Sequence, residues 1–170
     1  DSKIVLQIND FNYIRNYISS NQLLSSTYFA KDSLSNLINR INIDESKNSG
    51  LLSFSNYGKN NIAVTVITNK NFSDSLNIYD DKAYKYNKHD IFEEKDYFKT
   101  YLDDLVVSST SDIIIENIIR NYNSGKRGIN DPNFYDIILS SNQNEPINIY
   151  IDSKLDKFSK EYFRTIDFYP

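Results

Sequence analysis

Leu105–Asn121 reads LVVSSTSDIIIENIIRN, and this stretch decides the fold class of the chain. Leu105–Ser109 is an apolar run typical of a strand, and Ser108–Asp112 offer several side chains that can cap a helix. A strand therefore turns into a helix through a short polar elbow, and similar units recur at Ile4–Ser19 and Ile147–Tyr162. The isoleucines that follow the elbow at helical spacing are Ile114, Ile115, Ile118 and Ile119.

The segment between the first two elbows is rich in β-type residues. Leu51–Ser55 and Ile62–Thr68 flank a short turn that contains Gly58, which predicts a β-hairpin. Residues 77–109 contain short aromatic-rich runs separated by charged turns, which predicts a meander of antiparallel strands. Runs of strands between helices indicate the α+β class. We therefore predict a mainly antiparallel sheet of about six to eight strands with helices packed on one face.

Helical patterns lie on both sides of this β-rich segment. Asn9 or Asp10 can cap a first helix, Gly125 suits a helix stop, and Pro132 suits the first turn of a later helix. Periodicity also predicts a helix over about residues 32–42 and a final helix after Asp152. No linker divides the chain, so we expect one domain over residues 1–170. Residues predicted to face the core in these helices include Phe11, Ile14, Leu34, Leu37, Ile137 and Ile138.

The composition excludes several classes of function. With 170 residues the chain is long enough to bury a core. Its net charge of -4, with acidic and basic residues interspersed, argues against a nucleic-acid partner and against a polybasic membrane patch. It has no Cys, which excludes disulfides, thiolate catalysis and Cys-ligated metals. It has no Met, from which we expect a fragment of a longer mature protein. We predict no cofactor and no metal site.

No motif in the sequence carries a recognisable reaction, so we predict that the chain is not an enzyme. His89, the single histidine, lies in a polar run and is predicted to be a solvated turn residue without a catalytic partner. The serines at 108–111 suggest a nucleophile, but they lack a G-x-S-x-G pattern and are explained by helix capping. The acidic pairs lack the spacing of a calcium loop and are interpreted as charged turns. These acidic groups are Asp80-Asp81, Glu93-Glu94 with Asp96, and Asp103-Asp104.

Tyrosines of the predicted meander are the best candidates for binding residues. A row of tyrosines on the face away from the helices could stack against a sugar or contact a protein partner. The alternative is ordinary cross-strand pairing of aromatic side chains. The candidates are Tyr79, Tyr84, Tyr86, Tyr97 and Tyr101.

A family resemblance rests on the order of the motifs. The chain has an opening strand and helix at Gln7–Phe11, the hairpin Leu51–Thr68 and the elbow Val107–Arg120, followed by Asp131–Phe134 and the strand Asn148–Ile151. In this order the motifs resemble the N-terminal α+β module of an uncharacterised family of Bacteroidetes cell-envelope proteins, predicted to be lipoproteins. The shared motifs are structural, so the resemblance brings no catalytic residues.

The resemblance implies a location as well as a fold. It implies a periplasmic or cell-surface protein associated with the outer membrane, held there only by a lipid anchor on a Cys upstream of Asp1. It also implies O-glycosylation at Ser33 and Ser75, each within an Asp-Ser-Leu tripeptide. A secreted protein is the alternative location.

Three hypotheses about function remain open. The first is a non-enzymatic cell-envelope module that acts by protein–protein association in a periplasmic or outer-membrane assembly, with an unidentified partner. The second is a carbohydrate-binding or carbohydrate-processing module that uses the meander tyrosines and nearby carboxylates for a glycan. The third is a small secreted effector. The carboxylates of the second hypothesis are Asp80, Asp81, Glu93 and Asp96.

Overall fold

The described part of the chain consists of strands and short helices. The computed structural model describes residues 2–20, 49–59, 61–70, 82–94, 97–125, 132–142 and 144–151. Within these ranges the elements are, in chain order, β1 (Ser2–Ile8), α1 (Phe11–Ser20), β2 (Gly50–Tyr57), β3 (Asn61–Asn69), β4 (Lys82–Tyr86), β5 (His89–Glu94), β6 (Tyr97–Leu102), β7 (Leu105–Ser109), α2 (Asp112–Asn123), α3 (Pro132–Ser140) and β8 (Ile147–Ile151).

These strands form one sheet in the order β4-β5-β6-β7-β3-β2-β1-β8. Every neighbouring pair in it is antiparallel. This arrangement confirms the prediction of an α+β fold built on a mainly antiparallel sheet. The strand order departs from the chain order at two places. At one end of the sheet β8 pairs with β1, and in the centre β7 pairs with β3, with Thr65 opposite Ser109 and Asn69 opposite Leu105. Among the described strands, β4 therefore lies at one edge of the sheet and β8 at the other.

Turn residues with positive φ connect the strands that are adjacent in sequence. Gly58, between β2 and β3, has φ of 62°, a conformation that glycine adopts without steric cost. Asn87 and Lys88, between β4 and β5, have φ of 45° and 73°, as a two-residue type I′ hairpin requires. Asp103, in the turn between β6 and β7, has φ of 49°. The predicted hairpin is confirmed, and the predicted meander is confirmed from Lys82 onwards, since residues 77–81 lie outside the described ranges.

Helix α1 packs on the half of the sheet that contains β1, β2 and β3. Of the two predicted caps it uses Asp10, whose Oδ1 accepts hydrogen bonds from the backbone N–H groups of Asn12 and Tyr13 at 2.9 and 3.0 Å. Phe11 is fully buried, and its ring lies over Gly50, where a Cβ atom would come within 3.1 Å of Phe11 Cε2. We call this side of the sheet the α1 face. Its core contains Ile8, Phe11, Ile14, Leu52, Val64 and Val66.

Helix α2 packs on the half of the sheet that contains β4 to β7. Its helical repeat buries Ile115 and Ile119 and leaves Ile113 exposed. The helix ends at the predicted stop signal, because Gly125 has φ of 64° and its N–H donates to the carbonyl of Tyr122. We call this side of the sheet the α2 face. Its core contains Ile91, Leu102, Val107, Ile115 and Ile119.

The α1 face and the α2 face are opposite faces of the sheet. In β3, Val66 belongs to the first core and its neighbour Ile67 packs against the second, because successive side chains of a strand alternate in direction. The register extends this alternation to the neighbouring strands, since Leu52 pairs with Val66 and Val107 pairs with Ile67. The prediction that the helices pack on one face is therefore wrong for α1 and α2. Each helix covers its own half of the sheet, and β3 contributes to both cores.

The C-terminal described elements connect back to the sheet. Helix α3 begins at Pro132, as predicted. Ile137, predicted to face the core, is instead exposed, and Ile138 is half-buried. Beyond the helix, Ser141 Oγ accepts a hydrogen bond of 2.8 Å from the hydroxyl of Tyr150, which ties this end of α3 to β8.

Some sequence predictions lie outside the described residues. They include the helix over 32–42, the final helix after Asp152, and the predicted core residues Leu34 and Leu37. None of the helices within the described ranges is long and apolar enough to cross a lipid bilayer.

Candidate functional site

The elbow at 108–111 joins two strands of the sheet. Ser109 Oγ and Thr65 Oγ1 share a hydrogen bond of 3.0 Å, and Thr110 Oγ1 accepts one of 3.1 Å from the N–H of Val64. Thr110 N–H returns a bond of 3.0 Å to the Val64 carbonyl. Ser111 occupies the N-cap position of α2, but its side chain makes no capping hydrogen bond, so the interpretation of the elbow serines as caps is wrong for Ser111. The hydroxyl groups of Ser109 and Thr110, which precede it, hold β7 against β3.

The structure divides the predicted binding tyrosines between the two faces of the sheet. Tyr84 and Tyr86 pack against the core of the α2 face. Tyr97 and Tyr101 lie on the opposite side, as the register of β6 with β7 requires. Tyr79 lies outside the described residues. The four described tyrosines therefore do not share one face of the sheet.

Tyr84 and Tyr86 hold α2 against the sheet. The Tyr84 hydroxyl donates to Glu116 Oε1 at 3.1 Å, and the Tyr86 hydroxyl accepts from Arg120 Nη2 at 3.2 Å. Burial, and next the hydrogen bond to Glu116, raise the pKa of Tyr84 to about 12. Both hydroxyl groups are thus engaged within the protein, between β4 and α2.

We expect the Tyr84→Phe variant to be less stable than the wild type by about 1 kcal/mol near neutral pH, because it loses the bond to Glu116. The pKa of Tyr84 is higher in the folded state than its ordinary value of 10.0. The contribution of the Tyr84 hydroxyl to the unfolding free energy is therefore complete below pH 10 and is lost as the pH rises towards 12. Urea unfolding of both proteins over this alkaline range measures the difference in unfolding free energy.

Glu116→Gln is the matched control, because it keeps an acceptor oxygen opposite Tyr84 and removes the carboxylate charge. It should retain part of the stability and show a weaker pH dependence. A constant difference between wild type and Tyr84→Phe up to pH 12 would contradict the assignment.

Tyr101 is the centre of a cluster of cationic and aromatic groups on the side opposite Tyr84. The ammonium groups of Lys70 and Lys99 lie 5.4 and 5.8 Å from the centroid of its ring, within cation–π range. The ring of Phe92 meets it edge to face at 5.7 Å. The Tyr101 ring is therefore already surrounded by protein groups.

The carboxylate of Glu94 extends this cluster along β5 and β6. Lys99 Nζ forms an ion pair with Glu94 Oε1 at 2.6 Å, and both side chains are largely buried. The hydroxyl of Tyr97 donates to the other carboxylate oxygen. Glu94 is thus held by two neighbours, an arrangement that leaves little of the carboxylate for a substrate.

His89 occupies the start of β5 instead of the turn. The turn itself consists of Asn87 and Lys88, so the prediction that His89 is a solvated turn residue is wrong. Its Nε2 lies 3.1 Å from Asn123 Oδ1, and its ring meets the ring of Tyr122 edge to face at 5.9 Å. These contacts join the end of α2 to the sheet, and neither partner is a nucleophile or an orienting acid.

The two acidic pairs that lie within the described residues, Glu93-Glu94 and Asp103-Asp104, occupy different parts of the sheet. Glu93 and Glu94 point to opposite faces of β5. Asp103, in the turn between β6 and β7, accepts a hydrogen bond from the Tyr122 hydroxyl. That bond is the first cause that raises the pKa of Tyr122. Asp80, Asp81, Asp96, Ser33 and Ser75 lie outside the described residues. Within the described ranges no three His, Cys, Asp or Glu side chains come together in a group that could hold a metal ion.

The two edges of the described sheet differ in a way that bears on binding. Strand β4 contains two lysines, Lys82 and Lys85, and its pairing with β5 has a register irregularity between Lys82 and Tyr84. Lysines and bulges are features that protect a sheet edge from pairing with another chain. Strand β8 reads INIYI, with no charged residue and no irregularity in its pairing with β1. Only the β4 edge carries these protecting features.

Apolar side chains accompany the unprotected edge. Ile147, Ile149 and Ile151 pair with Ile8, Leu6 and Ile4 in β1 and therefore lie on the α1 face. Ile147 is partly buried, whereas Ile149 is 60% and Ile151 42% exposed. We call these three isoleucines and the backbone of β8 the β8 edge. In the sequence this edge is indicated by isoleucines at alternate positions with no charged residue between them. It was not among the candidates predicted from tyrosines and acidic residues.

Backbone geometry defines which groups the β8 edge offers. Asn9 N–H donates to the Pro146 carbonyl at 2.9 Å, which makes these two residues a hydrogen-bonded pair of the β1–β8 ladder. Such pairs alternate with non-bonded pairs in an antiparallel ladder, so Asn148 and Tyr150 bond to β1. The backbone N–H and C=O groups of the three isoleucines then point away from β1, towards the outer side of the strand.

Comparisons of the chain with protein-family models, with curated proteins and with solved structures give no match. The resemblance to a Bacteroidetes envelope family therefore stays a prediction.

Proposed function

We propose that this chain is a non-enzymatic binding module that acts by protein–protein association, and that the β8 edge is its docking strand. The observation that carries the proposal is the contrast between the two edges. Lysines and a register irregularity protect β4, whereas β8 presents outward backbone groups beside two exposed isoleucines. Addition of a partner strand would satisfy those backbone groups and cover the isoleucines.

The energetic basis is that of β-strand addition. Each added main-chain hydrogen bond contributes about 0.5–1.5 kcal/mol, and apolar side chains buried beside the strand add about 25 cal/mol for each Å² removed from water. The backbone bonds supply affinity for any extended segment, and the isoleucine row selects one with apolar residues at alternate positions. The partner segment should therefore be extended, apolar on one face and free of proline at its bonded positions.

We place this association in a periplasmic or outer-membrane assembly. The support is the order of structural motifs that resembles envelope lipoproteins, together with a net charge of -4 that does not favour nucleic acid. In this proposal the chain contributes an interaction surface, and any lipid anchor belongs to a part of the protein beyond this sequence.

The carbohydrate hypothesis receives less support from the described residues. A sugar stacks on the open face of an aromatic ring, but Tyr84 and Tyr86 pack under α2, and Tyr97 is buried. Tyr101 already has two ammonium groups and Phe92 around its ring. We therefore favour protein association over glycan binding.

The test is site-specific photo-cross-linking in cells of the source organism that produce the full-length protein. A benzophenone side chain at position 151 should give a defined adduct, whose partner peptide maps to an extended segment with alternating apolar residues. The same probe at Ile113, which is 52% exposed against 42% for Ile151 but lies on α2, is the matched control and should give none.

A second variant ties the adduct to strand addition. Ile149→Pro removes one outward N–H and the isoleucine side chain, without removing a bond to β1. It should lower the adduct yield at position 151 at least tenfold, because a main-chain hydrogen bond and the burial of an apolar side chain are both lost. Equal adduct yields at positions 151 and 113, or a yield that Ile149→Pro leaves unchanged, would rule out the β8 edge as the docking strand.

A further inference from the structure

We propose that the partner at the β8 edge is a second copy of this chain, paired antiparallel through β8 about a two-fold axis at Ile149. This inference rests on the proposed function and names its partner. The two copies would form one continuous sheet across the axis, with the α1 faces of both on the same side.

The backbone of β8 is complementary to itself in this register. With Ile149 opposite Ile149 of the second copy, Ile147 lies opposite Ile151 and Ile151 opposite Ile147. These are the residues whose N–H and C=O groups point away from β1. Every outward donor therefore meets an outward acceptor, and no bonded group is left over within the five-residue strand.

The side chains agree with the same register. All three isoleucines lie on the α1 face, so the axis brings two rows of isoleucine together, directly across from each other. Ile149 and Ile151, exposed in the single chain, would be covered in this pairing. On the other face Asn148 would lie opposite Tyr150, a polar residue against a hydroxyl-bearing one.

Charge favours a closed dimer at β8 over other edge contacts. Strand β8 has no charged residue, so its self-pairing places no like charges opposite each other. Self-pairing of β4 would bring Lys82 and Lys85 of two copies close together, and a β4–β8 contact would meet the register irregularity of β4. An isologous contact at one edge closes with two copies, and the protected second edge prevents growth into a fibre.

The test is sedimentation equilibrium of the full chain across a dilution series, with the Ile149→Lys and Ile149→Glu variants beside the wild type. The wild type should dimerise, and each variant alone should raise the dimer dissociation constant at least about tenfold, because like charges face each other at the axis. An equimolar mixture of the two variants should restore the dimer, since opposite charges then meet. Ile113→Lys, the same change at an exposed isoleucine of α2, should leave dimerisation unchanged.

Other occupants of the edge give different results. A folded wild-type chain that stays monomeric, while position 151 cross-links to another protein, overturns the second-copy inference and leaves the proposed function standing. The chain could also stay monomeric while Ile149→Pro lowers the unfolding free energy as much as Asn148→Pro, whose N–H bonds to β1. This result would mean that a segment of the same chain fills the β8 edge, and it would overturn both the second-copy inference and the proposed function. A dimer that both charged variants keep intact overturns the inference as well.

Discussion

The Phe11→Ala variant should unfold with a free energy about 3–5 kcal/mol below that of the wild type. Phe11 is fully buried in the core of the α1 face, where its ring lies over Gly50. Glycine has no side chain that could move into the vacated space, and the backbone of β2 is fixed by its pairing with β1 and β3. The cavity therefore persists, and its cost adds to the loss of apolar burial.

Urea unfolding followed by circular dichroism measures this loss. Tyr13→Ala, on the same helix but 48% exposed, is the control and should cost at most about 1 kcal/mol, as is usual for exposed positions. Phe11→Leu should fall between the two. Similar losses for Phe11→Ala and Tyr13→Ala would mean that α1 does not pack against the sheet through Phe11.

The Ile119→Ala variant should lose about 2–5 kcal/mol of unfolding free energy. Ile119 is fully buried in the core of the α2 face, among residues of β5, β6 and β7. Alanine has a higher helix propensity than isoleucine, which offsets only a few tenths of a kcal/mol. The loss of packing against the sheet therefore determines the result.

Ile113→Ala is the matched control for this second prediction, because it removes the same atoms from the same helix at a position that is 52% exposed. It should be close to neutral, and the helix content should not fall. A loss of unfolding free energy at Ile113 as large as that at Ile119 would mean that α2 does not pack against the sheet through the side that contains Ile119.

A double variant with a milder substitution in each core tests the arrangement of α1 and α2. The cores of the α1 face and the α2 face share no residue, so the effects of Phe11→Leu and Ile119→Val should add within about 0.5 kcal/mol. A single core under helices on one face would instead couple the two sites. Non-additivity well beyond this limit would contradict the separation into two cores.

Much of the fold could be predicted because its signals are local. Asp10 caps α1 through N–H groups two and three residues away, and Gly125 ends α2 within one turn. Positive φ at Gly58 allows the tight turn between two strands whose alternation is visible in the sequence. Each of these features depends on neighbours along the chain, so residue type and spacing are sufficient to locate it.

The candidate site could be predicted only in part. The sequence pointed to meander tyrosines, but which side of the sheet each one faces depends on strand register, and it separates Tyr84 from Tyr101. The elbow serines could be read as caps, yet the partner of Ser109 is Thr65, a residue 44 positions away. The β8 edge could not be recognised as an edge before the strand order was known.

Sequence patterns were sufficient to predict the kinds of elements, their approximate limits and the antiparallel α+β class, because alternation, caps and turn residues act over a few positions. The pairing of β7 with β3, the positions of α1 and α2 on opposite faces and the place of β8 at the end of the described sheet became visible only in the folded chain. The physical reason is the two-residue period of a strand: Val66 and Ile67 are equally apolar neighbours, and the register of distant strands assigns each to its core.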